Sequence, residues 1–287
     1  MSKVTAHSVD LDEVRLSYRR FGDGERLVVL VHGWPQTSTC WRHVMQGLGG
    51  EFTVVAPDLR GYGASGLATT GYDKRSTARD LHELLQHLGH ASALVAGHDR
   101  GARVSHRWAL DHPADIERLA LLDILPTREV MAAVDVDSAT RMWHWFFHRQ
   151  PDLPEILLAG NTEPYLRYFF REPLEKGAID DDALSEYLRA FEDPAHLAAS
   201  LEDYRAGFGI DLERDDKDAA AGTVVTAALL LLWGADGGLR NDDVLGIWGR
   251  YASDVQGYAI PDCGHYLPEE QPGAVLGHLK EFFSAGP

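Results

Sequence analysis

The chain has 287 residues and a formal net charge of −17, from 27 Lys and Arg against 44 Asp and Glu, which argues against nucleic acid or an anionic membrane surface as a partner. Its 45% hydrophobic and 25% charged residues are ordinary for a globular protein with a sizeable buried core. Three features predict a protein of the reducing cytoplasm. The chain has only two cysteines, Cys40 and Cys263, and no signal-peptide pattern at the start. Its longest apolar run, Val224–Trp233, is too short for a membrane span.

In the first 126 residues, short apolar runs alternate with helical patterns. The alternation of apolar and polar residues over Val14–Arg20 predicts an exposed strand. Apolar runs predict buried strands at Leu27–Val31, Thr53–Pro57, Leu94–Ala96 and Leu119–Asp123. Helical patterns lie between them at Trp41–Leu48, Ser76–Leu88 and Arg100–His112. This order predicts an α/β protein with a mostly parallel sheet and helices on both faces.

After Pro126 the pattern changes, and no buried strand is evident from Thr127 to Asp218. The segment instead contains aromatic-rich helical pieces interrupted by prolines, so we predict that residues 127–218 form a helical cap. Strand character returns at Thr223–Trp233 and Val255–Ile260, and Gln271–Phe283 has a helical pattern. The cap would therefore be inserted between two parts of one core, residues 1–126 and 219–287.

One motif, Gly97-His98-Asp99-Arg100-Gly101, lies between an apolar run and a helical pattern. This is the strand–turn–helix context of a nucleophile elbow, with Asp99 where serine is usual. The glycines permit a sharp turn, and the helix N-terminus favours an anion at Asp99. A turn or N-cap aspartate is the plainer interpretation. A carboxylate nucleophile gives an ordinary ester when it attacks an sp3 carbon, so the motif favours halides or epoxides as substrates.

Two further loops support this interpretation. The loop from His32 to Pro35 follows a buried strand and would supply one oxyanion-hole N–H from Trp34, while Arg100 would supply the other. Near the end of the chain, Asp262-Cys-Gly-His265 lies between a strand and the closing helix. An imidazole with an ordinary pKa of about 6.5 is largely neutral at pH 7, so His265 can activate water. The order of nucleophile, acid and histidine predicts an α/β-hydrolase fold.

At this level the chain resembles the Asp-nucleophile α/β hydrolases and, more narrowly, the haloacetate (fluoroacetate) dehalogenases. The resemblance covers nearly the whole chain and rests on six stretches: His32–Gln36, Asp58–Gly63, Gly97–Arg103, Leu122–Thr127, Trp143–Phe147 and Asp203–Gly207. It implies that Asp99 displaces halide from a haloacetate and that His265 activates the water that hydrolyses the resulting ester to glycolate. It also implies a homodimer. No cofactor or metal is expected, because the motif histidines lack ligand spacing with acids or cysteines.

Two aspartates could orient His265. Asp123 ends the strand after the elbow helix and matches the family's position, whereas Asp236 follows the next core strand within Trp233-Gly-Ala-Asp-Gly-Gly238. Other branches of the fold keep their acid at the latter position. We favour Asp123, with a Gly-rich turn as the plainer interpretation of Asp236.

The acidic chain would repel a small anionic substrate, so such a substrate needs a local cationic site. Arg100 and Arg103, at positions i and i+3 of the helix after the nucleophile, can converge on one face and bind a carboxylate. Cations are unfavourable at a helix N-terminus, so two of them there need an explanation. Pairing with core acids such as Asp58, or exposure to solvent, is the alternative.

The leaving halide needs hydrogen-bond donors, because fluoride is strongly hydrated. His144, Trp145 and Tyr204 match the family's halide pocket and can supply them. For Trp143, Phe146 and Phe147 we expect packing between cap and core.

Other functions remain open at this point. An epoxide hydrolase uses the same nucleophile and base but needs cap tyrosines, for which Tyr204, Tyr165, Tyr168 and Tyr187 are available. A non-catalytic ligand-binding member of the fold would not need all three catalytic groups. A serine esterase is disfavoured because aspartate replaces serine at the elbow.

Overall fold

The computed structural model describes residues 3–285, and within them one sheet of eight strands forms the centre of the protein. The strand order is β1-β2-β4-β3-β5-β6-β7-β8. The strands are β1 (Thr5–Asp10), β2 (Arg15–Phe21), β3 (Leu27–Val31), β4 (Thr53–Pro57), β5 (Ala93–His98), β6 (Ile116–Leu122), β7 (Ala228–Gly234) and β8 (Val255–Ile260). β1–β2 and β2–β4 pair antiparallel, and every other pairing is parallel.

The two faces of the sheet are covered by helices of the core. These are α1 (Arg42–Leu48), α2 (Lys74–His87), α3 (Arg100–Asp111), α12 (Val244–Trp248), α13 (Leu267–Glu270) and α14 (Pro272–Ser284), with 3-10 turns at Ser38–Trp41 and Pro113–Asp115. The strands β3, β4 and β5 are buried along their whole length because apolar side chains pack on both faces. One apolar cluster lies on each face of the sheet, so the core has two layers.

Between β6 and β7 the chain is helical. This segment contains α4 (Thr127–Ala132), α5 (Val136–Arg141), α6 (Trp143–His148), α7 (Leu153–Leu158), α8 (Thr162–Glu175), α9 (Asp181–Arg189), α10 (Pro194–Gly207) and α11 (Ile210–Ala221). These helices follow the carboxyl end of β6, the edge of a parallel sheet where ligands of α/β proteins bind. No helix among residues 3–285 combines the length and apolarity that a membrane crossing requires.

Two strands differ most from those expected from the sequence. The strand β1 was not predicted, because it is an edge strand with five exposed positions of six and therefore has no apolar pattern. The strand predicted from Thr223 begins at Ala228, and Val225 forms only an isolated bridge with Ala252. Pairing with β6, and not the apolar run, sets where β7 starts, since Val225 is buried but lies outside the strand.

Candidate active site

The turn between β5 and α3 is tight and strained. Asp99 adopts φ 49° and ψ −119°, a backbone conformation that non-glycine residues rarely adopt. A Cβ on Gly101 would lie 2.2 Å from the carbonyl oxygen of His32, and one on Gly97 would lie 2.7 Å from the Cα of Ala102. Both positions therefore need glycine for the helix to approach the strands. The result is an aspartate raised above the carboxyl ends of the strands.

The two carboxylate oxygens of Asp99 have different surroundings. Oδ1 accepts a hydrogen bond of 2.9 Å from the backbone N–H of Trp34, in the loop after β3. Oδ2 faces His265, whose Nε2 lies 3.7 Å away. Burial alone would raise the pKa of Asp99, but the charges of His265 and Arg100 and the backbone N–H of Arg100 lower it. Asp99 is thus an anion with one oxygen held by backbone donors and the other free to react.

His265 connects the nucleophile to a second carboxylate. Its Nδ1–H donates to Oδ2 of Asp123 at 2.6 Å, and Oδ1 of Asp123 accepts from the backbone N–H of Gly234 at 3.2 Å. Burial lowers the pKa of His265, but the hydrogen bond and charge of Asp123, together with the charge of Asp99, raise it to about 9. Asp236 is exposed, and its backbone N–H donates to Cys263. The structure therefore places Asp123, and not Asp236, against the imidazole.

Asp99 and His265 open into a cavity of about 550 Å³ between the core and the cap. Its lining includes Trp34, whose N–H binds Asp99, and the rings of His144 and Tyr204, which pack against Trp34. Apolar and charged residues from the helices between β6 and β7 and from the segments after β7 complete the lining: Val130, Met142, Leu239, Glu129, Asp242 and Arg250. The carboxylate of Asp99 therefore faces a cavity of mixed polarity with aromatic groups near it.

The two arginines after the nucleophile have different partners. Nε of Arg100 donates to Oδ2 of Asp203 at 2.5 Å, and its guanidinium lies over the ring of Tyr204, 4.2 Å from the ring centroid. Asp203 is also paired with Lys74, so the charge of Arg100 is balanced within the protein. Arg103 lines the cavity, whereas Arg100 is not among the lining residues. The expected role of Arg100 in binding a carboxylate stays a prediction.

Arg103 has only neutral partners. It donates from Nη1 to the carbonyl oxygen of Leu125 at 2.9 Å and to Oγ1 of Thr127 at 2.6 Å, and its guanidinium lies 4.8 Å from the ring centroid of Trp145. Among residues 3–285 no carboxylate lies within 4.0 Å of it, and its buried Nε has no hydrogen-bond partner there. Burial and the charge of Arg100 lower its pKa to about 10. The charges of Asp99 and Asp215 raise the pKa of Arg103, but neither carboxylate forms an ion pair with it. A buried cation without an ion-pair partner is costly, so this side of the cavity favours an anion.

The three residues expected to bind halide all line the cavity. Burial lowers the pKa of His144 to about 4, so its imidazole is neutral and carries one N–H. Burial and the charge of Asp99 raise the pKa of Tyr204 well above its usual value, so its hydroxyl keeps its proton. Trp145 is 8% exposed and adds an indole N–H. The three side chains can therefore act as neutral donors near the nucleophile.

The other cap tyrosines are placed differently. Tyr165 lies with its hydroxyl 2.6 Å from Nε2 of His148, Tyr168 is 52% exposed, and Tyr187 is buried against Glu269. Of these four tyrosines, all within the described residues, Tyr204 alone lines the cavity. An epoxide oxygen beside Asp99 would accordingly meet one of these cap tyrosines together with His144.

Sequence analysis missed two residues that support the site. His98 precedes the nucleophile, is fully buried, and donates from Nε2 to the backbone carbonyl of His265 at 2.7 Å. Asp203 precedes Tyr204 and balances Arg100 and Lys74. Both lie inside stretches that carry the family resemblance, Gly97–Arg103 and Asp203–Gly207, but sequence analysis assigned neither residue a role.

One group of side chains has the composition of a metal site. Within residues 3–285, His82, His112 and Asp115 bring three ligand atoms within 4.8 Å of one another. The two imidazoles are stacked, with centroids 4.0 Å apart and an interplanar angle of 13°. Their in-plane lone pairs lie in nearly parallel planes and do not converge on one ion. Oδ2 of Asp115 also accepts from Trp108, and none of the three residues lines the cavity of Asp99.

Comparison with known proteins agrees with this geometry. A family model described as the α/β-hydrolase fold matches residues 26–272. A soluble epoxide hydrolase of Corynebacterium sp. (strain C12) is 34% identical, over 99% of this chain and 98% of that protein. A fluoroacetate dehalogenase of Burkholderia sp. is also 34% identical, over 96% of this chain and 92% of that protein.

Solved structures are equally similar over the whole length. A candidate α/β hydrolase from Nostoc sp. PCC 7120 has a TM-score of 0.93 and 42% identity, with 99% of each chain covered. A candidate epoxide hydrolase from Pseudomonas aeruginosa has a TM-score of 0.93 and 37% identity, with 98% of this chain and 95% of that chain covered. With its eight-stranded sheet, its elbow at Asp99 and this match over most of its length, the chain belongs to the α/β-hydrolase family.

Proposed function

We propose that this protein hydrolyses a haloacetate to glycolate and halide. The observation that carries this proposal is Arg103, a buried cation that lines the cavity of Asp99 and has only neutral partners within the described residues. A substrate carboxylate would supply the missing counter-ion in the fork geometry that a guanidinium favours. The dehalogenase relative from Burkholderia sp. supports the same substrate class.

In the first step, Oδ2 of Asp99 attacks the halogen-bearing carbon from the side opposite the halogen. A carbon–oxygen bond forms, the carbon–halogen bond breaks, and the halide leaves with the bonding electron pair. The N–H and O–H groups of His144, Trp145 and Tyr204 replace part of the water that would solvate the halide. The product is an ester between Asp99 and a carboxymethyl group.

In the second step, His265 takes a proton from water, and the hydroxide attacks Cγ of Asp99. Negative charge develops on Oδ1, which the backbone N–H of Trp34 already contacts and which the N–H of Arg100 can also stabilise. The bond between Cγ and Oδ2 then breaks, and the leaving oxygen takes the proton from His265. Glycolate thus leaves with the original Oδ2, and the water oxygen remains in Asp99. The overall reaction consumes one water and releases one proton.

Esterification itself prepares His265 for this step. In the free protein the charge of Asp99 helps to raise the pKa of His265 to about 9, so the imidazole is protonated at neutral pH. The ester group at Asp99 is uncharged, and the remaining negative charge, on the carboxylate of the carboxymethyl group, is placed at Arg103. Ester formation therefore removes the contribution of Asp99. The pKa of His265 then falls, the proton is released, and the imidazole becomes a base when a base is needed.

Epoxide hydrolysis is the second candidate, and two observations favour it. The cavity of about 550 Å³ is in the range of pockets that hold drug-sized ligands, far larger than a haloacetate needs. His144 and Tyr204 could also donate to the oxygen of an opening epoxide ring. The nucleophile, the base and the ester chemistry would be the same, and the epoxide hydrolase relative from Corynebacterium sp. is as similar as the dehalogenase.

The two candidates are distinguished by product. Purified protein is incubated with fluoroacetate, with chloroacetate and with styrene oxide; halide is measured with ion-selective electrodes and diol by chromatography, with Asp99→Asn as the blank. We expect halide release that is absent from the variant. Diol without halide would replace the proposal by the second candidate, and no product from any substrate would contradict both.

A further inference from the structure

The loop that carries His265 is held by a carboxylate to which neither candidate reaction assigns a part. Glu270, the last residue of α13, turns back onto this loop, and its side chain is only 3% exposed. Its Oε2 accepts from the backbone N–H of Gly264 at 2.8 Å, and its Oε1 accepts from the backbone N–H of Tyr266 at 2.9 Å. One carboxylate therefore binds the N–H groups on both sides of His265.

This arrangement controls the direction in which the imidazole points. The N–H of Tyr266 lies in the peptide plane that follows His265, and the N–H of Gly264 lies in the plane between Cys263 and Gly264. Hydrogen bonds to an ionised group, which are stronger than neutral ones, thus fix the backbone before and after His265 and limit the direction of its Cα–Cβ bond. A Cβ on Gly264 would lie 3.0 Å from Oε1 of Glu270, so a larger residue there would push the carboxylate away. The glycine allows the close approach.

The negative charge of Glu270 also acts on His265. Nζ of Lys176, at the end of α8 in the cap, lies 3.3 Å from Oε2 of Glu270. Lys176 pairs with Glu172 as well, at 2.9 Å, and is 40% exposed, so it screens Glu270 only in part. Burial, Asp123 and Asp99 act more strongly on the pKa of His265, and the charge of Glu270 adds to its rise.

We propose that Glu270 is a positioning residue for His265: it holds the loop on both sides of the imidazole so that Nε2 faces the ester formed on Asp99. Glu270 touches no reacting atom and acts through His265. Because both candidate reactions pass through an ester on Asp99, the role holds for either one. The first step does not depend on it, since Asp99 attacks without help from the base.

Three variants separate position from charge. Glu270→Gln keeps the size but loses the charge, and its amide nitrogen meets one of the two N–H groups as a second donor. Glu270→Asp keeps the charge but is one methylene too short to reach both N–H groups. Glu172→Gln is the matched control, because it removes the other carboxylate that pairs with Lys176 without touching the loop.

The first measurement is the NMR titration of the His265 ring in the resting proteins, which needs no substrate. We expect a lower pKa in Glu270→Gln, and values near wild type in Glu270→Asp and Glu172→Gln. The second is single-turnover kinetics with chloroacetate or styrene oxide, whichever esterifies Asp99. Ester formation should be unchanged, whereas ester hydrolysis should slow by up to about a hundredfold in both Glu270 variants, the effect of a 1 Å displacement of a catalytic group.

Wild-type hydrolysis in folded Glu270→Gln and Glu270→Asp would overturn the proposal. Equal losses of ester formation and hydrolysis would also overturn it, because they would indicate general damage to the site. If Glu270→Gln does not fold, as judged by circular dichroism, the kinetics of Glu270→Asp decide. If neither substrate esterifies Asp99, the proposed function fails, and the titration still tests the link between Glu270 and His265.

Discussion

Nε2 of His265 lies 3.7 Å from Oδ2 of Asp99, so the candidate base and the candidate nucleophile influence each other's charge. Replacing Asp99 by asparagine removes a negative charge while keeping the shape. We expect the pKa of His265 to fall from about 9 in this variant, because burial then opposes the imidazolium with one counter-charge fewer. NMR titration of the ring protons measures it. An unchanged pKa would contradict the change of charge that we derive for ester formation.

Replacing His265 by glutamine should trap the ester. The variant retains Asp99 and the donors of the cavity, so it can displace halide once but cannot activate water. We expect a burst of halide equal to the amount of protein and a mass increase of one carboxymethyl group on the peptide that contains Asp99. Continuous turnover at the wild-type rate would show that another group acts as the base.

The acid that orients His265 can be tested by two matched substitutions. Asp123→Asn removes the charge that lies 2.6 Å from Nδ1, whereas Asp236→Asn changes an exposed side chain. We expect steady-state turnover to fall by roughly 10⁴-fold in the first, as for the acid of a comparable triad, and to stay near wild type in the second. Loss of turnover in Asp236→Asn alone would reverse the assignment.

Arg103 should matter for anionic substrates only. Arg103→Met keeps much of the side-chain volume and removes the cation, so we expect kcat/KM for a haloacetate to fall by roughly 10- to 100-fold, the equivalent of about 1.5–3 kcal/mol for a hydrogen bond to a charged group. Ester formation from the neutral styrene oxide should change little. Arg250→Met is the control, because Arg250 also lines the cavity but is paired with Glu129. Equal effects on both substrates would mean that Arg103 supports the fold of the site and does not bind a carboxylate.

Protonation of His265 should also link stability to pH. Its pKa in the folded protein, about 9, is above its ordinary value of 6.5. The folded state therefore binds the proton more tightly, and the resulting stabilisation is complete below pH 6.5 and is lost as the pH rises through 9. Urea unfolding of the wild type and His265→Gln at pH 6, 7.5 and 9 measures it. We expect the free energy of unfolding of the two proteins to converge as the pH rises; a constant difference would contradict the raised pKa.

Local sequence was sufficient for three strands, two buried along their whole length and one, β8, partly exposed. The strands predicted at Leu27–Val31, Thr53–Pro57 and Val255–Ile260 have those bounds in the structure, because a continuous apolar run or a strand-like stretch between turns defines them without help from the rest of the chain. The helix predicted from Ser76 begins at Lys74, after the N-cap Asp73, whose side chain accepts from two backbone N–H groups. That cap was a readable signal. The edge strand β1 had none, since its pairing alone makes it a strand.

By itself the sequence determined the α/β-hydrolase fold and predicted the elbow at Asp99 and the order of candidate nucleophile, acid and histidine, because each depends on residues that are neighbours along the chain. The sequence favoured Asp123, but only the tertiary structure showed which aspartate contacts His265 and which arginine lacks an ion-pair partner. Asp123 and Asp236 both follow core strands, and Arg100 and Arg103 share one helix. Their hydrogen-bond partners distinguish the members of each pair: Asp123 accepts from the N–H of Gly234, and Arg100 donates to Asp203. Each partner lies about a hundred residues away along the chain. Contacts at that separation are made by folding and leave no local pattern.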